Sequence, residues 1–333
     1  MKTLVTIRSR DLVNQIFNES AYEKLKSIGE LTFIHDDLEY FESNYEKIIG
    51  DYDFCVTGWG SRKFTDDILD ISKNLKLIGH TAGTVIPIVD RSVFDRGIKV
   101  VNANSYLAKS TAEFAVVMMM AGAWNLNEQN VNMKNDIWSD SENQSFLGVA
   151  GRTIGIIGYG EISQEVIRLL QSFEVEILLY SSYCPEEEAK RLGITLVGLD
   201  ELLKRSDIVS LHNTLTEQSR GMLGKRELSL MRDGSLLVNT ARQPIIDNDA
   251  LLAEMKSGRL LGAIDVYEAE PIPKDHPLLS CKNVFCAPHI GGFGKRWKSR
   301  LAELVADNIL LFLDGKELKN EVGVGLFDRQ SPR

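Results

Sequence analysis

Hydrophobic positions along the first hundred residues fall into short runs separated by stretches of helical period. Lys2 to Ile7, Leu31 to Ile34, Phe54 to Thr57, Leu75 to Gly79 and Ile98 to Asn102 are rich in apolar and β-branched residues. Each is bounded by Gly, Asp or Asn, and they read as buried strands. Amphipathic stretches such as Asp11 to Ile28 and Thr65 to Ser72 lie between them. Strand and helix in alternation predict a parallel, doubly wound α/β sheet. A second series starts at Thr153, with candidate strands Thr153 to Ile157, Val175 to Tyr180, Ile194 to Val197, Ile208 to Leu211, Leu236 to Asn239, Leu261 to Ile264 and Val284 to Cys286. A long amphipathic helix, Arg300 to Phe312, closes the pattern. Two α/β domains follow, with hinges near Asn104 and Pro288.

The segment joining the two series differs. Asn104 or Ser105 can cap a helix running through Ala112, Phe114, Val117 and Ala121. Apolar residues surround most of this helix, so it is expected to be buried between domains or subunits. Its Met118-Met119-Met120 cluster could serve as an adaptable binding surface, but core packing is the simpler expectation.

The whole chain has 333 residues, long enough for two domains. Its 44% apolar content excludes wholesale disorder. With 38 Lys and Arg against 47 Asp and Glu, the net charge of −9 offers no general attraction to nucleic acid or anionic membrane. The longest apolar run, Phe114 to Trp124, is eleven residues, short of the roughly 20 that a spanning helix needs. The N-terminal MKTLVTIRSR lacks the apolar core of a signal peptide. Cys55, Cys184, Cys281 and Cys286 form no Cys-x-x-Cys, and His35, His80, His212 and His276 have no convergent ligand spacing. No metal site is therefore expected, and the thiols suit a reducing cytoplasm.

Two features carry chemistry. Thr153 to Ser163 reads as a strand, a tight turn at Gly158-Tyr159-Gly160, and a helix start at Glu161. In that setting glycines permit the turn and admit a pyrophosphate close to the backbone, while the helix N-terminus favours anions. Ser163 takes the place of the third glycine. The acidic residue that usually ends the next strand and holds the ribose hydroxyls is replaced by Ser181. Serine neither repels a 2′-phosphate nor accepts two ribose hydroxyls as a carboxylate does, so the cofactor expected is NAD(P), leaning to NADP or dual use. The second feature is a set of polar residues just past strands: Arg242, Glu270 and His289. Singly, each has an ordinary explanation as a solvated or structural residue. Together at one edge of a cofactor-binding sheet they suit a substrate anchor and an acid/base pair.

The sequence resembles the D-isomer-specific 2-hydroxyacid dehydrogenase family over nearly its whole length. The likeness rests on Ala82-Gly83, Arg96-Gly97-Ile98-Lys99-Val100, Ala112-Glu113, Gly155 to Gly160, His212-Asn213-Thr214-Leu215-Thr216, Asn239-Thr240-Ala241-Arg242, Gly262 to Val266 and Pro288-His289-Ile290. It implies a flavodoxin-like substrate domain (1–103 and 289–333) with a Rossmann-type nucleotide domain (104–288) inserted. It also implies a homodimer in which Ser105 to Trp138 takes part. Hydride would pass between a nicotinamide and a 2-oxo acid or D-2-hydroxy acid. His289 would move the proton, Glu270 would favour its protonated form, and Arg242 would grip the substrate through its planar fork. Cofactor contacts are implied for Gly158, Tyr159, Gly160, Glu161, Ile162, Ser181, Thr214, Thr240, Ala241, Asp265, Gly291 and Gly292, and substrate contacts for Gly83, Thr84 and Trp59.

Several positions depart from the family pattern. Val85 replaces the second glycine of the substrate loop, and Gln243 stands where a glycine commonly follows the arginine. Trp59 could face the pocket or serve as an ordinary aromatic. Lys295, Arg296, Lys298 and Arg300 could hold an acidic substrate, although a solvated helix face is the plainer reading. The same fold also serves corepressor-like proteins that sense dinucleotides, an alternative that the acidic charge balance disfavours.

Overall fold

A computed structural model describes residues 1–138 and 145–329. Residues 139–144 of the expected nucleotide domain, and 330–333 of the expected C-terminal return, lie outside them. The chain divides into two compact units, Met1–Leu107 with Phe293–Arg333, and Ala108–Gly292. The divisions fall four residues beyond the hinges expected at 103/104 and 288/289.

The first unit is built on strands β1 (Lys2–Val5), β2 (Glu30–Phe33), β3 (Phe54–Thr57), β4 (Leu77–His80) and β5 (Lys99–Asn102). They pair in parallel in the order β2-β1-β3-β4-β5, a flavodoxin-like winding. The central strands β3 and β4 are buried along their length because helices cover both faces of the sheet. One face packs against the C-terminal helix Leu301–Leu313, whose Val305 side chain occupies the space left by Gly79. Glu303 of that helix is almost buried and is held by Asn18, Ser20, Lys24 and Arg300 at 2.9–3.2 Å.

The second unit contains β6 (Thr153–Ile157), β7 (Glu176–Tyr180), β8 (Thr195–Leu196), β9 (Ile208–Leu211), β10 (Leu236–Asn239), β11 (Leu261–Ile264) and β12 (Val284–Cys286). Their parallel order is β12-β11-β10-β9-β6-β7-β8. This is the Rossmann arrangement, whose winding reverses between β6 and β9. Both units are thus doubly wound parallel sheets.

Two helical expectations change. Asp11 to Ile28 is two helices, Arg10–Ile16 and Glu19–Ile28, because Asn18 accepts the Ala21 N–H and starts a new helix. The joining segment is also two helices, Asn104–Ala123 and Leu126–Lys134. Met118 and Met119 enter the core, yet Val117, Met120, Trp124, Leu126, Val131, Met133, Ile137 and Trp138 are exposed on this chain. Among the described residues no helix is long and apolar enough to cross a membrane.

Candidate active site

The turn between β6 and the helix Glu161–Leu170 has the conformation that its glycines require. Gly158 has φ +96°, and a Cβ there would lie 2.7 Å from the Asn213 backbone. No other residue fits. Gly160 caps the helix, and a Cβ there would meet open space. Ser163 is fully buried, and its hydroxyl is spent on Gly160, accepting from the N–H at 2.8 Å and lying 3.0 Å from the carbonyl.

Two polar atoms just past the neighbouring strands β9 and β10, Asn213 Oδ1 and Thr240 Oγ1, are buried without a hydrogen-bond partner. Five such atoms occur among the described residues, and these are the two on this unit. Native proteins seldom leave such atoms unpaired, and both lie at the sheet edge where a dinucleotide binds. The open glycine turn, the helix start and these atoms fit that ligand.

Around the expected adenosine end, Ser181 follows β7 and accepts the Tyr183 N–H at 3.1 Å. Tyr159 reaches from the glycine turn to donate to Glu188 at 3.2 Å, and Glu188 is gripped by Arg191 at 2.7 Å through two nitrogens. Burial first, then the neighbouring Cys184 and Glu188, pushes the Tyr159 phenol up to about 12. Glu161 is exposed at the first helical position and Ile162 packs against the core. The Thr214 carbonyl accepts from Ser219, and Ala241 N–H donates to Asn239 Oδ1 at 3.0 Å.

The three candidate chemical groups stand past neighbouring strands of this sheet, Arg242 after β10, Glu270 after β11 and His289 after β12. Arg242 is half-buried and donates to the Ala241 carbonyl at 2.7 Å. His289 Nδ1 lies 2.6 Å from Glu270 Oε2, while Glu270 Oε1 accepts the Tyr267 N–H at 3.0 Å. With Nδ1 committed to a fixed carboxylate, Nε2 is the ring atom left for proton exchange.

His289 has φ +54°, a left-handed conformation that costs a residue with a Cβ about 1–2 kcal/mol. The segment after it is tied down. Asp265 Oδ1 and Oδ2 accept the Ile290 and Gly291 N–H groups at 2.9 and 3.1 Å, and Ser110 donates to the Gly291 carbonyl at 2.8 Å. These bonds run within the unit Ala108–Gly292, which contains His289, Gly291 and Gly292. Burial raises the Asp265 pKa, against the pull of the two N–H groups and of His289. Tyr267 adds a second brace, its hydroxyl 3.0 and 2.9 Å from the Ile264 and Ala287 carbonyls at the ends of β11 and β12.

The sequence gives no sign of Ser110 or Tyr267 at the site, and the resemblance implies only a cofactor contact for Asp265. The only hint lay in their positions at strand and helix ends.

Gly83, Thr84 and Trp59 belong to the other unit. The Gly83 carbonyl accepts from Asn102 Nδ2 at 2.8 Å. Val85 is fully buried, with its carbonyl taken by Ile88 and Val89 N–H groups. Trp59 is half-buried beyond β3 and meets Phe293 edge-on, with ring centroids 6.2 Å apart. Among the described residues no group of three or more His, Cys, Asp or Glu side chains could hold a metal ion.

Comparison with known proteins places the chain in a family. Residues 116–291 match the family model described as D-isomer specific 2-hydroxyacid dehydrogenase, NAD binding domain. A D-3-phosphoglycerate dehydrogenase of Methanocaldococcus jannaschii is 34% identical over 317 residues, covering 94% of this chain and 59% of its own length. A glyoxylate reductase of Thermococcus gammatolerans is 37% identical over 319 residues, 93% of this chain and 94% of that protein. The structure of D-2-hydroxyisocaproate dehydrogenase superposes with a TM-score of 0.82 at 22% identity, covering 97% and 99% of the two chains, and bears on the fold alone. The chain spans little more than half of the phosphoglycerate dehydrogenase but nearly all of the reductase. Both the matched nucleotide domain and these relatives lead to one conclusion: the chain belongs to the D-isomer-specific 2-hydroxyacid dehydrogenase family of enzymes.

Proposed function

We propose that this protein interconverts a 2-oxo acid and a D-2-hydroxy acid with a nicotinamide dinucleotide, His289 exchanging the proton. The observation that carries this reading is the 2.6 Å contact between His289 and Glu270 at the sheet edge that also bears Arg242. When bound, the dinucleotide supplies or accepts the hydride. Protonated at both nitrogens, His289 holds one proton on Glu270 and presents the other from Nε2 to the substrate oxygen. The carboxylate stabilises that charge and fixes the ring. Arg242 grips the substrate carboxylate or carbonyl through parallel N–H groups. Gly83, Thr84 and Trp59 complete the substrate contacts.

Thr240, Ala241, Thr214, Asp265, Gly291, Gly292 and the turn Gly158 to Ile162 hold the dinucleotide. Ser181 leaves the ribose without a carboxylate, favouring NADPH or use of both cofactors. The apolar stripe from Val117 to Trp138 forms the face of a homodimer. Four unpaired cysteines suit a cytoplasmic protein.

The test is His289→Asn assayed with a panel of 2-oxo acids and both reduced cofactors. Loss of acid/base catalysis predicts a fall in kcat of about 10²–10⁴-fold, with dinucleotide binding retained. Wild-type turnover in the variant, or no reduction of any 2-oxo acid by the wild type, overturns the proposal.

A further inference from the structure

His289 and Glu270 meet at 2.6 Å although both side chains are open to water, 45% and 36% exposed. An ion pair so exposed has little strength of its own with which to hold two side chains together. Their separation is therefore set by the backbone segments that carry them, the loop after β11 and the turn after β12. One residue is bonded to both segments.

The Tyr267 ring is buried in the hydrophobic cluster that includes Ile264, Leu278 and Val284. Its N–H donates to Glu270 Oε1 at 3.0 Å, and its hydroxyl lies 2.9 Å from the Ala287 carbonyl, two residues before His289. With the 2.6 Å contact these bonds close a circuit, from the Tyr267 N–H through Glu270, His289 and Ala287 back to the Tyr267 hydroxyl. Every member lies in the unit Ala108–Gly292. The hydroxyl is also 3.0 Å from the Ile264 carbonyl, which accepts the Ala287 N–H at 2.9 Å. The phenol thus joins the ends of β11 and β12 where their pairing stops. Pro288 has no N–H to carry that pairing further, and His289 beyond it is in the left-handed conformation.

The brace itself does not titrate with the pair. Burial first, then the adjoining Cys286, raises the Tyr267 pKa, so the hydroxyl keeps its proton. Burial also pushes up the Cys286 thiol, and Asp265 is coupled by charge to both His289 and Glu270.

Resting on the proposed function, we infer that Tyr267 is a positioning residue that holds the carboxylate and the imidazole at contact distance and so sets the pH range over which His289 carries its proton for reduction. Phenylalanine at this position keeps the packed ring and the N–H on Glu270 but opens the circuit on the histidine side. The contact lengthens, the imidazolium loses stabilisation, and His289 releases its proton at lower pH.

The experiment compares wild type, Tyr267→Phe, Glu270→Gln and the double variant. One readout is the pH profile of kcat for 2-oxo acid reduction. The other is the NMR titration of the His289 ring, assigned by its loss in His289→Asn. In Tyr267→Phe, kcat is expected to fall about five- to tenfold, the factor that one hydrogen bond carries. The ring titration and the alkaline decline of kcat both move down by about half a pH unit or more, while dinucleotide binding measured by calorimetry keeps its wild-type value. In the Glu270→Gln background the same substitution moves neither, because the coupling runs through the carboxylate. An unmoved His289 titration in Tyr267→Phe, or equal shifts with and without the Glu270 carboxylate, overturns the inference. A wild type that binds dinucleotide but reduces no 2-oxo acid overturns the proposed reaction instead, and the ring titration still decides whether Tyr267 sets the pair.

Discussion

Replacing Asp265 by Asn probes whether the strained histidine depends on a carboxylate that need not touch the substrate. In the wild type, two N–H groups of the strap after His289 bind the two oxygens of Asp265 at 2.9 and 3.1 Å. Asparagine offers one oxygen and one NH2 group, so one backbone N–H loses its acceptor and faces another donor. A hydrogen bond to a charged group contributes about 1.5–3 kcal/mol. The left-handed conformation of His289 adds a tendency to relax worth about 1–2 kcal/mol. Losing the first term alone corresponds to roughly a 10–100-fold drop in the population with His289 in position, since about 1.4 kcal/mol is a factor of ten. We expect kcat in Asp265→Asn to fall by about that factor. Asp265→Ala, which loses both acceptors, should fall further. Stopped-flow single turnovers isolate the chemical step, and circular dichroism confirms the fold. A folded Asp265→Asn enzyme whose single-turnover rate stays within about threefold of wild type would refute the clamp.

Other perturbations address separate parts of the molecule. Arg242→Lys keeps the charge but loses the fork, so KM for the 2-oxo acid should rise and kcat fall; unchanged constants would make Arg242 structural. Ser181→Asp should swing the ratio of kcat/KM toward NADH, by on the order of tenfold for one added carboxylate at the ribose, and no response would mean that the ribose is read elsewhere. Placing lysine at Trp124 and at Val131, both exposed on this chain, should convert a dimer to monomer in light scattering; a persistent dimer would assign the interface to another face. Burial pushes Glu303 up, but Arg300, Asn18, Lys24 and Ser20 outweigh it and hold the carboxyl at about 2 against an ordinary 4.5. A carboxyl depressed in the folded state stabilises the fold above its unfolded pKa, and that support is lost as pH falls from about 4.5 toward 2. The shift corresponds to about 3 kcal/mol. The thermal midpoint of wild type should therefore drop more steeply over that interval than that of Glu303→Gln, and parallel curves would contradict the assignment.

Strands were legible because most are short apolar runs buried between helices, β2 and β8 at the sheet edges excepted, and the twelve among the described residues lie within a few residues of the expected runs. Helix breaks were less so. Asp11 to Ile28 keeps an apolar period across Asn18, and only the side-chain cap on Ala21 divides it. The exposure of Val117, Met120 and Trp124 was hidden for another reason: an apolar surface patch has the same composition as a core. His289 and Glu270 could be paired because both follow strands of one sheet. Asp265, Tyr267 and Ser110 could not, since their bonds run to backbone atoms whose positions depend on how distant segments return to the sheet.

Departures from the family pattern separate by the direction in which they point. Val85 and Ser163 are fully buried, and Gln243 is 4% exposed, with its amide on Asn248 at 3.2 Å. Each replaces a residue whose usual value is backbone freedom or small size, and each uses its side chain for internal packing or bonding. Such replacements alter local support more than contacts to a ligand. Ser181 and Trp59 are instead accessible at strand ends. A polar or aromatic group held at a sheet edge affects which ribose or side chain can bind, because its unmatched atoms must find partners in the ligand. Under the proposed function, selectivity for cofactor and substrate falls to Ser181 and Trp59, and the common chemistry to Arg242, Glu270 and His289.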